Sequence, residues 1–203
     1  MDKRRSFKEL KNDCSYEGFC NFCKDVAERY ATSEIEFARS YYCKTLNISE
    51  SCFYKVLEFA VVMNLVSDKT FEKMRDKAVK NQKAHAPNAG ITTLEKYGKM
   101  FEQRCQFIAY AIQVEEVRKF ALEYIEKSTT PKKDLAEKYG YSPRVADILL
   151  IRSVEEGIIT DEQVDEMQQR CVIFSPGHFK SINEYFIGLK KKRKAFLSNN
   201  NLI

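Results

Sequence analysis

The chain carries a diverged second copy of part of itself. The segment ISESCFYKVLEFAVVMNLVSDKTFEKM, from Ile48, aligns without a gap on YSPRVADILLIRSVEEGIITDEQVDEM, from Tyr141. Ser49 falls on Ser142, Val66 on Ile159, Asp68 on Asp161 and Met74 on Met167, always 93 residues apart. Few identities remain, but apolar positions and helix-start residues coincide, as they do in a duplicated supersecondary unit. The chain is therefore expected to build two related units.

Helix punctuation sets the class of fold. Only seven glycines and four prolines occur in 203 residues, too few for a turn-rich β protein, and no alternating strand pattern is present. Ser33–Glu36, Thr92–Glu95, Thr160–Gln163 and Ser181–Glu184 read as capping boxes. Thr130-Pro131 and Ser142-Pro143 place a capping hydroxyl before a first-turn proline. Val66 with Phe71, and Ile159 with Val164, hold the two positions of a hydrophobic staple. These signals predict helices at about 16–31, 33–45, 50–64 and 68–83, then a loop at 85–90. A long helical stretch follows from Thr93 to about Lys127, with a break near Cys105. Helices at 131–139, 143–156, 161–173 and 182–197 complete the pattern, Gly157 supplying a left-handed cap. The expectation is an all-α chain with unit 1 at 1–90 and unit 2 at 91–203. The stripe from Leu94 through Tyr97, Phe101 and Phe120 to Ile125 forms the spine joining them.

Within unit 2, Asp134–Leu149 (DLAEKYGYSPRVADIL) resembles the helix-turn-helix superfamily pattern. Leu135, Ala136, Gly140, Tyr141, Ser142, Ala146 and Leu149 carry the resemblance, which extends over about 130–157. Ala146 stands where a β-branched residue is commoner. Ala136 is small where the second helix crosses, Gly140 takes positive φ in the turn, and Ser142 caps the second helix. Residues 33–64 keep the plan in diverged form, with a longer turn that lacks glycine.

The resemblance implies a second helix whose first residues enter the major groove of DNA. Ser142, Arg144 and Asp147 are the side chains so placed, Arg144 suiting guanine and Lys132 and Lys133 suiting phosphates. Glu50, Ser51 and Lys55 hold the corresponding places in the first copy. Against this, ADILLI and FYKVLEFAVVM are apolar nearly all round, as in a buried helix. A helix-turn-helix used purely as a packing unit fits that composition too.

Lys190, Lys191, Lys192, Arg193 and Lys194 wrap more than one helical turn, so at least three should face outward. They suit phosphate contact, or simply the negative end of their own helix dipole. Lys3, Arg4, Arg5 and Lys8 form a weaker cluster. Cys20 and Cys23 make a C-x-x-C with Cys14 upstream, but no further ligands lie nearby and Phe19, Val26, Ala27 and Tyr30 share their face. Core packing is the simplest reading, beside metal or redox use. His85 and His178 have no evident nucleophile to serve, and no phosphate loop or paired carboxylates stand out. No enzyme activity, cofactor or metal is expected.

The N-terminus lacks the apolar stretch of a secretory signal, and no 18-residue apolar run exists, so a cytoplasmic protein without a membrane span is expected. Net charge is +5. The functional expectation is a non-enzymatic regulator binding double-stranded DNA, of phage or mobile-element type from its size and lone architecture. The alternative is a helical interaction module or inhibitor acting on a nucleoprotein partner.

Overall fold

The computed structural model describes residues 4–35, 38–83, 89–127 and 129–200. Unit 1 begins with α1 (Phe7–Asn12), α2 (Tyr16–Thr32), α3 (Ala38–Thr45), α4 (Glu50–Val62) and α5 (Asp68–Lys83). Helix α6 (Ala89–Ala111) crosses the division between two compact units, Met1–Phe107 and Ile108–Ile203. Unit 2 continues with α7 (Val114–Glu126), α8 (Lys132–Lys138), α9 (Pro143–Glu155) and α10 (Asp161–Phe174). A 3₁₀ turn (Pro176–His178) then leads into α11 (Phe179–Asn199). The chain is all-α: the described residues hold no strand, only a parallel bridge between Arg5 and Ile48. No described helix is long and apolar enough to cross a membrane.

Several helix starts lie where the sequence puts them. The Ser49 hydroxyl accepts from the Cys52 amide at 3.1 Å and that of Ser142 from Val145 at 3.3 Å, with Pro143 first in α9. Thr160 and Gln163 close a complete capping box. Gly140 and Gly157 hold φ of 70° and 69°. Other expectations are corrected. Thr92 and Ser181 start nothing, because α6 and α11 have already begun at Ala89 and Phe179 and their amides belong to a running helix. Pro131, not Thr130, is the N-cap of α8, and no side chain bonds there. The long stretch runs through Cys105 and breaks only at Gln113, whose extended backbone (ψ 147°) caps α7. Arg152 seals that break by donating to the carbonyls of Ala109 at 3.0 Å and Ile112 at 2.7 Å. Leu94 faces solvent, and Ser33 ends α2. Glu36, His85 and residues 85–88 of the expected loop lie outside the described residues. Helix α1 was not expected, although Ser6 and Glu9 form a full capping box.

Each unit closes its own core. In unit 1, α2 packs on α4 and α5, and α3 on α4, burying Phe19, Phe53, Leu57 and Met74. In unit 2, α7, α8 and α11 pack on α9, burying Val117, Phe120, Leu135, Leu149 and Val154. Two polar ties occur in both. Asp68, first in α5, pairs with buried Arg104 at 2.9 Å, and Asp161, first in α10, pairs with buried Arg193 at 2.8 Å. Lys77 donates to the carbonyls of Tyr30 and Ser33 at the end of α2, its ammonium 5.1 Å from the Tyr30 ring centre. Arg170, which stands 93 residues after Lys77, donates to the carbonyls of Tyr124, Lys127 and Thr130 and stacks 4.0 Å from the Tyr124 ring. Both cations answer carbonyls that a helix end leaves without internal donors.

Candidate nucleic-acid interface

The α8–turn–α9 pair has the local features of a helix-turn-helix, but its second helix is covered. Val145, Ala146, Ile148, Leu149, Leu150, Arg152, Ser153 and Val154 are buried, and Pro143 is the one exposed residue of α9. Helices α7, α8 and α11 all pack against it. Ser142 is half-buried and occupied with its cap. Lys132 is ion-paired with Asp147, so a cation expected on phosphate neutralises a carboxylate expected near bases. Arg144 is half-buried and lines a cleft beside α11, and Lys133 alone of the first-helix pair is exposed.

The basic run divides by helical phase. Arg193 turns inward: it is 8% exposed, pairs with Asp161 and donates to the Val154 carbonyl at 3.2 Å. It is therefore corrected from a phosphate contact to a strut holding α11. Lys190 bonds Asp165 at 2.6 Å and Lys192 bonds Glu155 at 2.8 Å, both at the surface. Lys191 and Lys194 are exposed, with no ion pair among the described residues.

Unit 1 presents the contrary arrangement. The face of α4 carrying Glu50, Ser51 and Lys55 is exposed, with Tyr54 and Glu58 half-buried beside it. Exposed Arg39, on α3, donates to the Tyr54 hydroxyl at 2.7 Å and lies 3.8 Å from the Glu50 carboxylate. Lys96 sits 4.2 Å from the Tyr54 ring centre. Lys44 is exposed at the end of α3. The N-terminal segment is pinned to the turn before α4: the Arg5 amide donates to Asn47 at 3.0 Å, the Ser49 amide to the Arg5 carbonyl at 3.3 Å, and the Arg5 guanidinium to Leu46 at 3.1 Å. Exposed Arg4 is thereby held near the start of α4. Arg39 and Lys44 escaped the sequence reading because they are scattered, whereas a run of five cations catches the eye; Arg4 belongs to the weaker N-terminal cluster already singled out. Charge follows the same asymmetry. Unit 1 has nineteen Lys and Arg against fifteen Asp and Glu, unit 2 fifteen against fourteen.

Cys23 is buried in the core of unit 1 and burial pushes its thiol up to about 12, far from the thiolate that reactivity requires. Cys20 is half-buried and Cys14 exposed. No group of three or more His, Cys, Asp or Glu among the described residues is placed to hold a metal ion. Comparison with protein-family models, curated proteins and solved structures finds no match for the chain.

Proposed function

We propose that this is a non-enzymatic, cytoplasmic DNA-binding regulator whose contact surface is the open face of α3 and α4 in unit 1. The observation that carries this reading is the contrast between the paired second helices. The start of α4 offers Ser51 and Lys55 to solvent beside Arg39, Lys44 and Arg4, whereas α9 offers only Pro143. A helix must expose its first turns to enter a groove, and flanking cations supply the salt-sensitive part of affinity. Tyr54, at the centre of that face, is contacted by both Arg39 and Lys96. Regulation would follow from occupancy of the site, without chemistry.

The test is fluorescence anisotropy on random-sequence duplex DNA across a salt series. The wild type should bind with a log–log salt slope, and Arg39→Ala/Lys44→Ala/Lys55→Ala should flatten that slope by about 2 to 3. Arg144→Ala should leave it unchanged. Absence of salt-dependent binding by the wild type would overturn the proposal. A second reading, a helical module that docks on a nucleoprotein partner, is favoured by exposed apolar side chains of unit 2: Ile173 (72%), Phe179 (56%) and Ile187 (54%). Under that reading, binding survives nuclease and fails in Ile173→Ser/Ile187→Ser.

A further inference from the structure

Helices α9 and α10 each pack on α7 and on α11, and residues of all four line a cleft of about 490 Å³ within unit 2. Its walls are apolar. Leu150, Met167, Phe186 and Leu189 are each at most 9% exposed, with half-buried Ile151 and Ile182 beside them. Packed helices ordinarily leave few voids larger than a water molecule, whereas this volume lies in the range of small-molecule sites. The lining follows two helix faces, from Ser181 to Leu189 on α11 and from Arg144 to Ile151 on α9. At 1.5 Å per residue those walls are about 12 Å and about 10 Å long, a slot that suits a chain better than a disc. Met167, the most adaptable of the apolar side chains there, can follow the contour of such a chain.

The charged groups of the cleft decide what head such a chain can carry. Lys132 and Asp147 are paired with each other, and Arg144 is engaged within the chain as well. An ionised ligand would have to pull one of these groups from its partner or enter the apolar slot unpaired, and either is costly. An uncharged ligand disturbs none of them. Beside the start of α11, exposed His178 and Ser181 bring an imidazole and a hydroxyl to the cleft, groups that can serve a neutral head as donor or acceptor. We infer that the cleft binds an uncharged amphiphile: a linear hydrocarbon chain ending in a hydroxyl or carbonyl group. The chain lies on Leu150, Met167 and Phe186, and the head meets His178 and Ser181. The site is independent of the DNA reading, which rests on unit 1, so either can fail alone.

The experiment titrates the full chain with decanol, decanoate and decyltrimethylammonium by calorimetry, below the concentrations at which micelles form. The expected result is saturable one-site binding of decanol, about tenfold or more tighter than either ion. His178→Ala/Ser181→Ala, at two exposed positions, should weaken decanol by about threefold to tenfold, as expected for lost neutral hydrogen bonds. Asp147→Asn takes the carboxylate from Lys132 and should raise the affinity for decanoate while leaving decanol unchanged, a pattern that a merely loosened fold does not give. Ile151→Trp, at a half-buried wall position, should abolish decanol binding while retaining the helical melting curve. In the wild type, the Met167 ε-methyl resonance should shift on titration with decanol and that of Met100, in unit 1, should stay. No saturable decanol binding, an unmoved Met167 methyl, or an ion bound as tightly as decanol would each overturn the inference.

Discussion

Lys77 and Arg170 stand 93 residues apart and each answers carbonyls at a helix end, yet the two cations carry different loads. Arg170 is 4% exposed and answers three carbonyls, while Lys77 is half-buried and answers two. An acceptor left without a donor in the interior costs about 1–3 kcal/mol, and partial hydration reduces that. Arg170→Met should therefore lower the stability of unit 2 by about 3 kcal/mol, and Lys77→Met that of unit 1 by about 1 kcal/mol, read from urea midpoints. Equal losses would show that burial does not set the difference. Glu123 gives a pH counterpart. Hydrogen bonds from Lys127, Lys138 and Tyr139, the last at 2.7 Å, hold its carboxyl down at about 2 against an ordinary 4.5. A carboxylate whose folded pKa is depressed stabilises above its unfolded value, and that contribution fades as pH falls toward 2. Melting temperature should therefore fall between pH 5 and pH 2 in the wild type, and Glu123→Gln should flatten part of that fall while lowering the plateau above pH 5.

Helices record their starts in local sequence better than their partners. Ser49, Ser142 and Thr160 were legible because a cap is a contact between residues three apart. Thr92 and Ser181 carry the same letters inside running helices, since nothing local says that a helix has already begun. The cover of α11 over α9 was hinted at only by the apolar character of ADILLI. The inward turn of Arg193 depended on the rotation of α11, which a run of five cations does not reveal. The scattered cations around α4 are brought together by tertiary packing, through the bridge from Arg5 to the turn before α4 and through Arg39 on α3. Gly157 shows the same limit from the other side. Its positive φ is readable as a helix stop, but a Cβ there would also lie 2.7 Å from Cδ2 of Leu197 on α11. Gly140, with φ of 70°, has open space around it. Gly140→Ala should cost about 1 kcal/mol from the left-handed backbone alone. Gly157→Ala should cost more, and the excess should vanish in the Leu197→Ala background; an excess that persists would place its origin outside the α11 contact.

At the scale of the molecule, division into two cores predicts how damage spreads. Leu149 is fully buried at the centre of unit 2, and Leu57 is 1% exposed in the core of unit 1. Truncating a buried leucine to alanine costs about 2–5 kcal/mol. Because the unit 1 cluster runs from Leu10 to Met100 and draws its buried members from that unit, the loss should stay within the unit that contains the cavity. Hydrogen exchange should thus accelerate through α7 to α11 in Leu149→Ala while α2 and α4 keep wild-type protection, and the converse should hold in Leu57→Ala. Helix α6 is the element through which the two could couple, since its backbone ladder passes the division without a break, and exchange along Ile108–Ala111 reports whether it does. If protection falls equally in both units, the chain is one cooperative body and the cores are not separable. If it does not, Leu149→Ala becomes a clean instrument: it should leave the salt-dependent DNA affinity assigned to α3 and α4 where it was.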